Sequence, residues 1–536
     1  MERINVVGAG LSGLSTAINL AEKGIPSRLI SAQPSERAQS VLAEGGINAC
    51  LDTMGESDTT EEHFADTMRG GVNLADPNAV AGLTRCAPEI VRWLASLGAP
   101  FQMENGRIIQ RNFGGQKKKR TAFAKASTGK VLMSALIDAA RKYEARGVIE
   151  RLPHHEFVRL YIDDRAGERT CRGVCIRDSY TEKLLALPGR VVLCSGGMNG
   201  FFPGMTTGTT PNNGDATAMA FWQGVELANL EFIQYHPTTF GISGKRCLIS
   251  EAARGEGGRL YILRDGKPWY FMEELYPELK NLMPRDVVSR EMVRVGRRED
   301  CAPQVYLDMT GLSPEIWRKK LPDLRQECIH YLGMDPASVP VPVEPGIHFF
   351  MGGINVDEAH RTNVKGLYAA GECACQYHGA NRLGGNSMLG ATYSGRVVAE
   401  TIAGEAWQEG GAPLEPVHPE MEDRAAAAVF AERMKDILYA PLGILRDEAS
   451  MTKALERLEG LAAETPLTER QRARVQVGRA MLLSAIARRE SRGAHYRLDF
   501  PERDDEHFRR TTIARLRDGK VELEFKEIPA RREDGR

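Results

Sequence analysis

Five stretches of this chain set charged or imidazole side chains among apolar or glycine-rich neighbours. His236 closes the apolar run "FIQYHPT", and His348 sits in "PGIHFFMGGI". Ser250, Glu251 and Arg254 share "ISEAARGEGG", Arg285 and Asp286 open "RDVVSR", and Arg382 lies in "HGANRLGGNSM". Each has an ordinary explanation when taken singly. A histidine at a strand end can be a satisfied core residue, Arg285 with Asp286 a helix-start ion pair, and Glu251 with Arg254 an i, i+3 pair. Together they form a chemically different set. Cations and imidazoles can hold an anion, and an arginine beside a carboxylate can pass a proton. Arg382 is then expected to grip an anionic ligand while the glycine backbone around it approaches the same ligand.

Such a set needs a scaffold, and the N-terminus supplies its first part. "INVVGAGLSGLSTAINLAEKG" reads as strand, glycine turn and helix, with Gly8, Gly10 and Gly13 in G-x-G-x-x-G spacing directly behind the strand. That arrangement seats a pyrophosphate on a helix N-terminus. The second strand, "SRLISAQ", ends in Ser31 where an acidic residue often holds a ribose, so a weaker hydroxyl contact is expected. Gly45 and Gly46 in "SVLAEGGINA" read as ligand-facing backbone. "RVVLCSGGMNG" repeats the strand-then-glycine theme at Ser195 and Gly196, and "GLYAAGE" repeats it at Glu372. Three distant strands that each deliver a glycine turn point to one large cofactor on one α/β sheet. FAD fits better than a smaller nucleotide.

At 536 residues the chain exceeds a single core and divides into several domains. With 70 basic and 71 acidic residues, nothing advertises nucleic acid or an anionic membrane as partner. No apolar run approaches the ~18 residues of a bilayer span, and "MERINVVGAG" enters a strand at once, which argues against a signal peptide. Ten scattered cysteines without repeated Cys-x2-Cys spacing predict reduced thiols and no resident metal. The texture changes over 238–345, predicting an inserted domain between two FAD-binding segments, 1–237 and 346–408. A helical domain is expected over 409–499, with "TERQ" at 468–471 as a capping box and Val475, Leu482 and Ile486 on one helix face. The segment 500–536 alternates around Asp518-Gly519 and reads as a β-hairpin with a tail.

These stretches, with "GAGLSGL", "AEGGINA", "FGGQKKKRTAFAKASTGKVL", "EAARGEGGRL" and "ESRGAHYRLDFP", resemble the flavoprotein subunit of fumarate reductase and succinate dehydrogenase. That family also includes L-aspartate oxidase, and the resemblance spans nearly the whole chain. It implies a Rossmann-like FAD-binding domain split in sequence, an inserted α+β capping domain and a C-terminal helical domain. It implies that His236, His348 and Arg382 bind the carboxylates of a dicarboxylate, with Ser250 and Glu251 beside them. Arg285 would donate a proton, relayed through Glu251 and Arg254. By the same resemblance, FAD contacts extend to Leu11, Ser12, Gln39, Ser40 and Ala43, to Asp215, and to Asn386, Ser387 and Leu389. An arginine stays protonated at ordinary pH, so donation requires neighbouring cations and a carboxylate that returns the proton.

Two local features separate the family's members. An ammonium-bearing substrate needs an acidic partner in the region from Asn105 to Leu136, which holds no aspartate or glutamate. Fumarate and succinate are therefore expected, with the L-aspartate oxidase reaction as the alternative. Covalently flavinylated members carry a histidine ahead of the "AEGG" turn, where this chain has Gln39. Non-covalent FAD is expected, which tilts the chemistry toward fumarate reduction. A third reading, an FAD-binding scaffold with a dead site, is opposed by the intact polar set. The family usually exchanges electrons with a separate iron–sulfur subunit and a membrane anchor. That implies a cytoplasmic chain, peripheral at the inner face of the cell membrane through partners.

Overall fold

The computed structural model describes residues 2–532 other than 125–126, 166, 210, 243, 408–412 and 465. At its centre the apolar strand Ile4–Val7 is buried on both faces, as parallel sheets require. The sheet order is Leu367–Ala369, Val191–Leu193, Ile4–Val7, Ser27–Ser31, Ile149–Pro153, with every pairing parallel. The three strands expected to deliver glycine turns are thus neighbours. Helices Leu11–Glu22, Thr128–Ala145 and Asn386–Gly404 bury Leu14, Ile18, Leu136 and Val398 against this sheet. Gly8 adopts φ +116, and a Cβ there would lie 2.1 Å from the Cys194 carbonyl oxygen, so only glycine fits the first turn.

A second sheet of six strands runs Lys245–Leu248, Ile233–Ile242, Val341–Phe350, Cys301–Asp308, Arg259–Arg264, Lys267–Trp269. With helix Arg285–Gly296 it encloses its own core of Leu260, Phe271, Val288, Leu307 and Trp317. The expected limits at 237/238 and 345/346 fall inside strands Ile233–Ile242 and Val341–Phe350, which pair from Ile233↔Phe350 to Thr239↔Glu344. Composition changes where these strands leave the FAD-side core, but the backbone ladder continues across. The ladder is irregular between His236 and Thr239. Pro237 has no N–H to give it, and the break re-aims His236.

Helices Arg424–Leu438, Glu448–Glu464 and Glu469–Ala487 follow. Thr468 and Gln471 form the expected capping box. Val475 and Leu482 are buried and Ile486 packs beside them. The expected limit at 408/409 lies outside the described residues. Strands Arg510–Arg517 and Lys520–Glu527 pair in register around Asp518 (φ 49) and Gly519 (φ +75), the positive-φ pair a tight hairpin turn requires. The hairpin joins Leu227–Ala228, Gly353–Asn355 and Ala374–Cys375 in one five-stranded sheet. Among the described residues no helix is long and apolar enough to cross a membrane.

Candidate active site

One cavity of about 1410 Å³ runs from the first glycine turn to the second sheet. Gly8, Gly10, Leu11, Ser12 and Ser31 line one end, followed by Gln39, Ser40, Ala43, Gly45 and Gly46. Ser195, Gly196, Asp215, Glu372 and Ser387 line the same space. Farther along stand His236, Ser250, Glu251, Arg285, His348 and Arg382. Residues from five distant stretches therefore share one space.

Three expected cofactor contacts stand behind the wall instead. Gly13 serves packing, because a Cβ there would lie 1.8 Å from the Gly8 carbonyl oxygen, so its absence lets the helix close on the turn. Asn386 turns its side chain away to Asn48 (2.7 Å) and His63 (3.1 Å). Leu389, one turn on from Asn386, is fully buried in the core beneath the sheet. Arg254, expected as the outward relay, lies 3.6 Å from Glu251 on the side away from the cavity and donates to the Asn281 carbonyl at 2.6 Å.

The cofactor end contains groups that want a ligand. The Ser195 hydroxyl and both amide atoms of Asn212 are buried without a partner among the described residues. Gly196, at φ +74, leaves no room for a Cβ beside Asn212. Burial pushes the Glu372 carboxyl up to about 7, and it accepts the Phe350 N–H at 3.1 Å. The Ser31 hydroxyl donates to the Gln33 carbonyl at 2.6 Å, so only its lone pairs remain for a ribose. Gln39 accepts the Thr209 N–H at 2.6 Å through Oε1. Glycine turns, orphaned hydroxyl and amide groups, and a helix N-terminus fit FAD, with its phosphates and sugar hydroxyls.

The other end is dominated by buried cations. Arg285 donates to Glu251 Oε2 through Nε (2.8 Å) and Nη2 (2.6 Å), and does not pair with its neighbour Asp286. Glu251 also accepts the Gly114 N–H at 3.0 Å and lies 3.6 Å from Arg254. Burial works to raise its pKa, but Arg285 and Arg254 outweigh burial and hold the carboxyl below its usual range. The His236 and His348 rings meet edge to face with centroids 5.2 Å apart. His236 Nδ1 accepts the Thr238 N–H at 3.3 Å, which leaves Nε2 as the proton-bearing atom, buried without a partner among the described residues. His348 Nδ1 lies 2.8 Å from the Thr207 hydroxyl. Burial first, then Arg285, holds both imidazoles well below the ordinary range. Arg382 stacks over Phe349 at 4.3 Å with its Nε unpaired among the described residues, and burial plus Arg285 drives its pKa down. Such a cluster is short of negative charge.

Two wall residues, Arg246 and Glu44, and one residue behind the wall, Gln234, were not anticipated. Gln234, buried on the strand of His236, sits two residues before it and so shares its face; that period was the available signal. Arg246 enters from the neighbouring strand and pairs with Glu344. Glu44 lies beside Gly45, and burial, reinforced by Glu327, drives its carboxyl well above its usual range and favours the neutral form.

Sheet, glycine turns and cavity define an FAD-dependent oxidoreductase. The FAD binding domain family model matches residues 4–388, and the fumarate reductase flavoprotein C-terminal model matches 467–533. The chain is 35% identical to the succinate dehydrogenase flavoprotein subunit of Bacillus subtilis, covering 96% of this chain and 93% of that one. It is 34% identical to the L-aspartate oxidase of Streptomyces coelicolor, covering 95% and 91%. A solved quinol-fumarate reductase with menaquinol superposes with TM-score 0.88 at 30% identity, covering 99% and 98%. The chain belongs to the succinate dehydrogenase/fumarate reductase flavoprotein family, which includes L-aspartate oxidase.

Proposed function

We propose that this chain reduces fumarate to succinate on FAD held without a covalent bond. The observation that carries the reading is the Arg285–Glu251 contact, set in the same cavity as His236, His348 and Arg382. FAD, when bound along the glycine turns, supplies the hydride. His236, His348 and Arg382 bind the two carboxylates, with Ser250 and Glu251 beside them, and offer donors where negative charge builds in the transition state. Arg285 delivers the proton, and Glu251 with Arg254 returns it from outside. Glu251, held against Arg285 at 2.6 Å, provides the relay oxygen.

Substrate choice follows from what faces the ligand. Phe113 lines the cavity, and Arg111 packs over its ring at 5.4 Å, in the region where an ammonium would need a carboxylate. Glu44, favoured in its neutral form, adds little attraction for an amine. A dicarboxylate dianion suits this wall better than L-aspartate. Electrons come from a separate iron–sulfur subunit, which with a membrane anchor holds the chain at the inner face of the cell membrane. In an anaerobic titration, fumarate should reoxidise the reduced flavin and L-aspartate should leave oxidised flavin unbleached. Bleaching by L-aspartate with iminoaspartate formed would establish the oxidase reaction instead.

A further inference from the structure

The turn that follows Arg382 is held from below by a buried amide network outside the cavity. Asn48 is fully buried and makes contact with this turn through both side chain and backbone. Its Nδ2 donates to the Gly384 carbonyl and to Asn386 Oδ1, each at 2.7 Å. Its Oδ1 accepts from Gln116 Nε2 at 3.0 Å and from the Thr121 hydroxyl at 2.6 Å, and its backbone N–H donates to the Gly385 carbonyl at 3.2 Å. Gln116 gives the Gly384 carbonyl a second donor at 2.8 Å. Asn386 donates to the Thr67 hydroxyl at 3.0 Å, and its Oδ1 also meets His63 Nε2 at 3.1 Å. Because that oxygen can only accept, His63 carries its proton on Nε2.

The fit is close on both sides of the turn. Gly385 has φ +81, and a Cβ there would lie 2.1 Å from Asn48 Oδ1. On its other side, a Cβ at Gly384 would lie 3.2 Å from Glu251 Oε2, the oxygen that Arg285 grips. Movement of this turn therefore shifts Arg382 along the chain and presses on Glu251 through space.

We propose that Asn48 is a positioning residue, which sets Arg382 and the Glu251–Arg285 pair by fixing the Gly384 carbonyl and the Asn386 side chain. The inference rests on the fumarate-reducing reading of the cavity. Asn48→Asp keeps size and both acceptor contacts, but turns its second oxygen against the Gly384 carbonyl and Asn386 Oδ1. Two acceptors face each other, and the turn must move.

The test uses the FAD-loaded full chain, with steady-state fumarate reduction, fumarate titration of the flavin spectrum and thermal melting measured together. Asn48→Asp should raise KM and the titrated Kd for fumarate about 10-fold and lower kcat by about 10- to 100-fold. Asn19→Asp, a buried amide bonded among the described residues to Ser15 on the first helix, supplies the structural baseline: a lower melting temperature with unchanged KM. Gln116→Met, which removes one donor from Gly384, should raise KM by a few-fold and covers the case in which Asn48→Asp does not hold FAD. Unchanged KM and Kd in either variant, with melting alone affected as in Asn19→Asp, overturns the positioning role. Absence of fumarate turnover in the parent chain would instead defeat the reading of the reaction.

Discussion

Arg285 and Arg382 are joined through a single side chain. Gln234 accepts from Arg285 Nη1 at 3.2 Å, while its amide nitrogen donates to the Arg382 carbonyl and to Asn381 Oδ1, both at 2.8 Å. The proposed proton donor and the proposed substrate-binding arginine thus sit on different elements and share one buried amide.

Gln234→Ala should separate them. It removes two donors from buried acceptors and one acceptor from a buried cation, at a cost of about 1–3 kcal/mol. We expect kcat/KM for fumarate to fall about 10- to 100-fold with FAD retained. Steady-state rates with a reduced dye measure this, and an unchanged kcat/KM would mean that the coupling has no kinetic weight.

Arg285→Gln and Arg382→Ala should fail differently. Loss of the proton donor is expected to lower kcat by about 10²- to 10⁴-fold while fumarate still perturbs the flavin spectrum. Loss of Arg382 removes a charged donor to a desolvated carboxylate, so Kd should rise along with the drop in rate, by about 10- to 100-fold. Substantial turnover in Arg285→Gln would exclude it as the donor.

Acidity should favour binding. Burial and Arg285 keep His236 and His348 well below the ordinary imidazole range, so both are neutral in the free protein at pH 7. A bound dianion raises their pKa values, and a ligand that raises a pKa binds more tightly as pH falls. Succinate Kd should therefore decrease between pH 8 and pH 6, by at most about tenfold per unit for each proton taken up. Calorimetry in two buffers of different ionisation enthalpy reads the uptake directly; proton release on binding would remove the imidazoles from the carboxylate site.

Acid precipitation should leave all the yellow colour in the supernatant. Gln39, at the position expected for a flavin-linked histidine, spends its carbonyl oxygen on the Thr209 N–H, and an amide is no nucleophile. Flavin that remains with the denatured chain would show attachment elsewhere.

Local chemistry was readable in advance, and non-local chemistry was not. The capping box at Thr468 and the Asp518-Gly519 turn are decided by a few adjacent residues, and the structure has both. The glycine turns behind Val7, Leu193 and Ala369 follow from strand-then-glycine patterns, and they converge on one sheet. Gly13 fell on the correct motif with the wrong neighbour, since spacing alone does not say which glycine faces ligand and which faces its own helix. The limits at 237/238 and 345/346 fall within two long paired strands, where composition changes but the backbone ladder runs on. Asn48, Gln116 and His63 had no signal at all: their partners are backbone carbonyls and amides more than 250 residues away in the chain.

The five-stranded sheet has a consequence for biogenesis. Its central strand, Leu227–Ala228, waits for Arg510–Arg517, which leaves the ribosome almost 300 residues later. The same late region brings Ala494, whose N–H binds the Ala380 carbonyl two residues before Arg382 at 3.0 Å. A nascent chain can fold its first glycine turn early, but the loop that carries Arg382 gains its Ala494 contact only once translation has passed residue 494. Truncation before residue 494 would leave every cavity side chain present and the turn that carries Arg382 without its Ala494 contact.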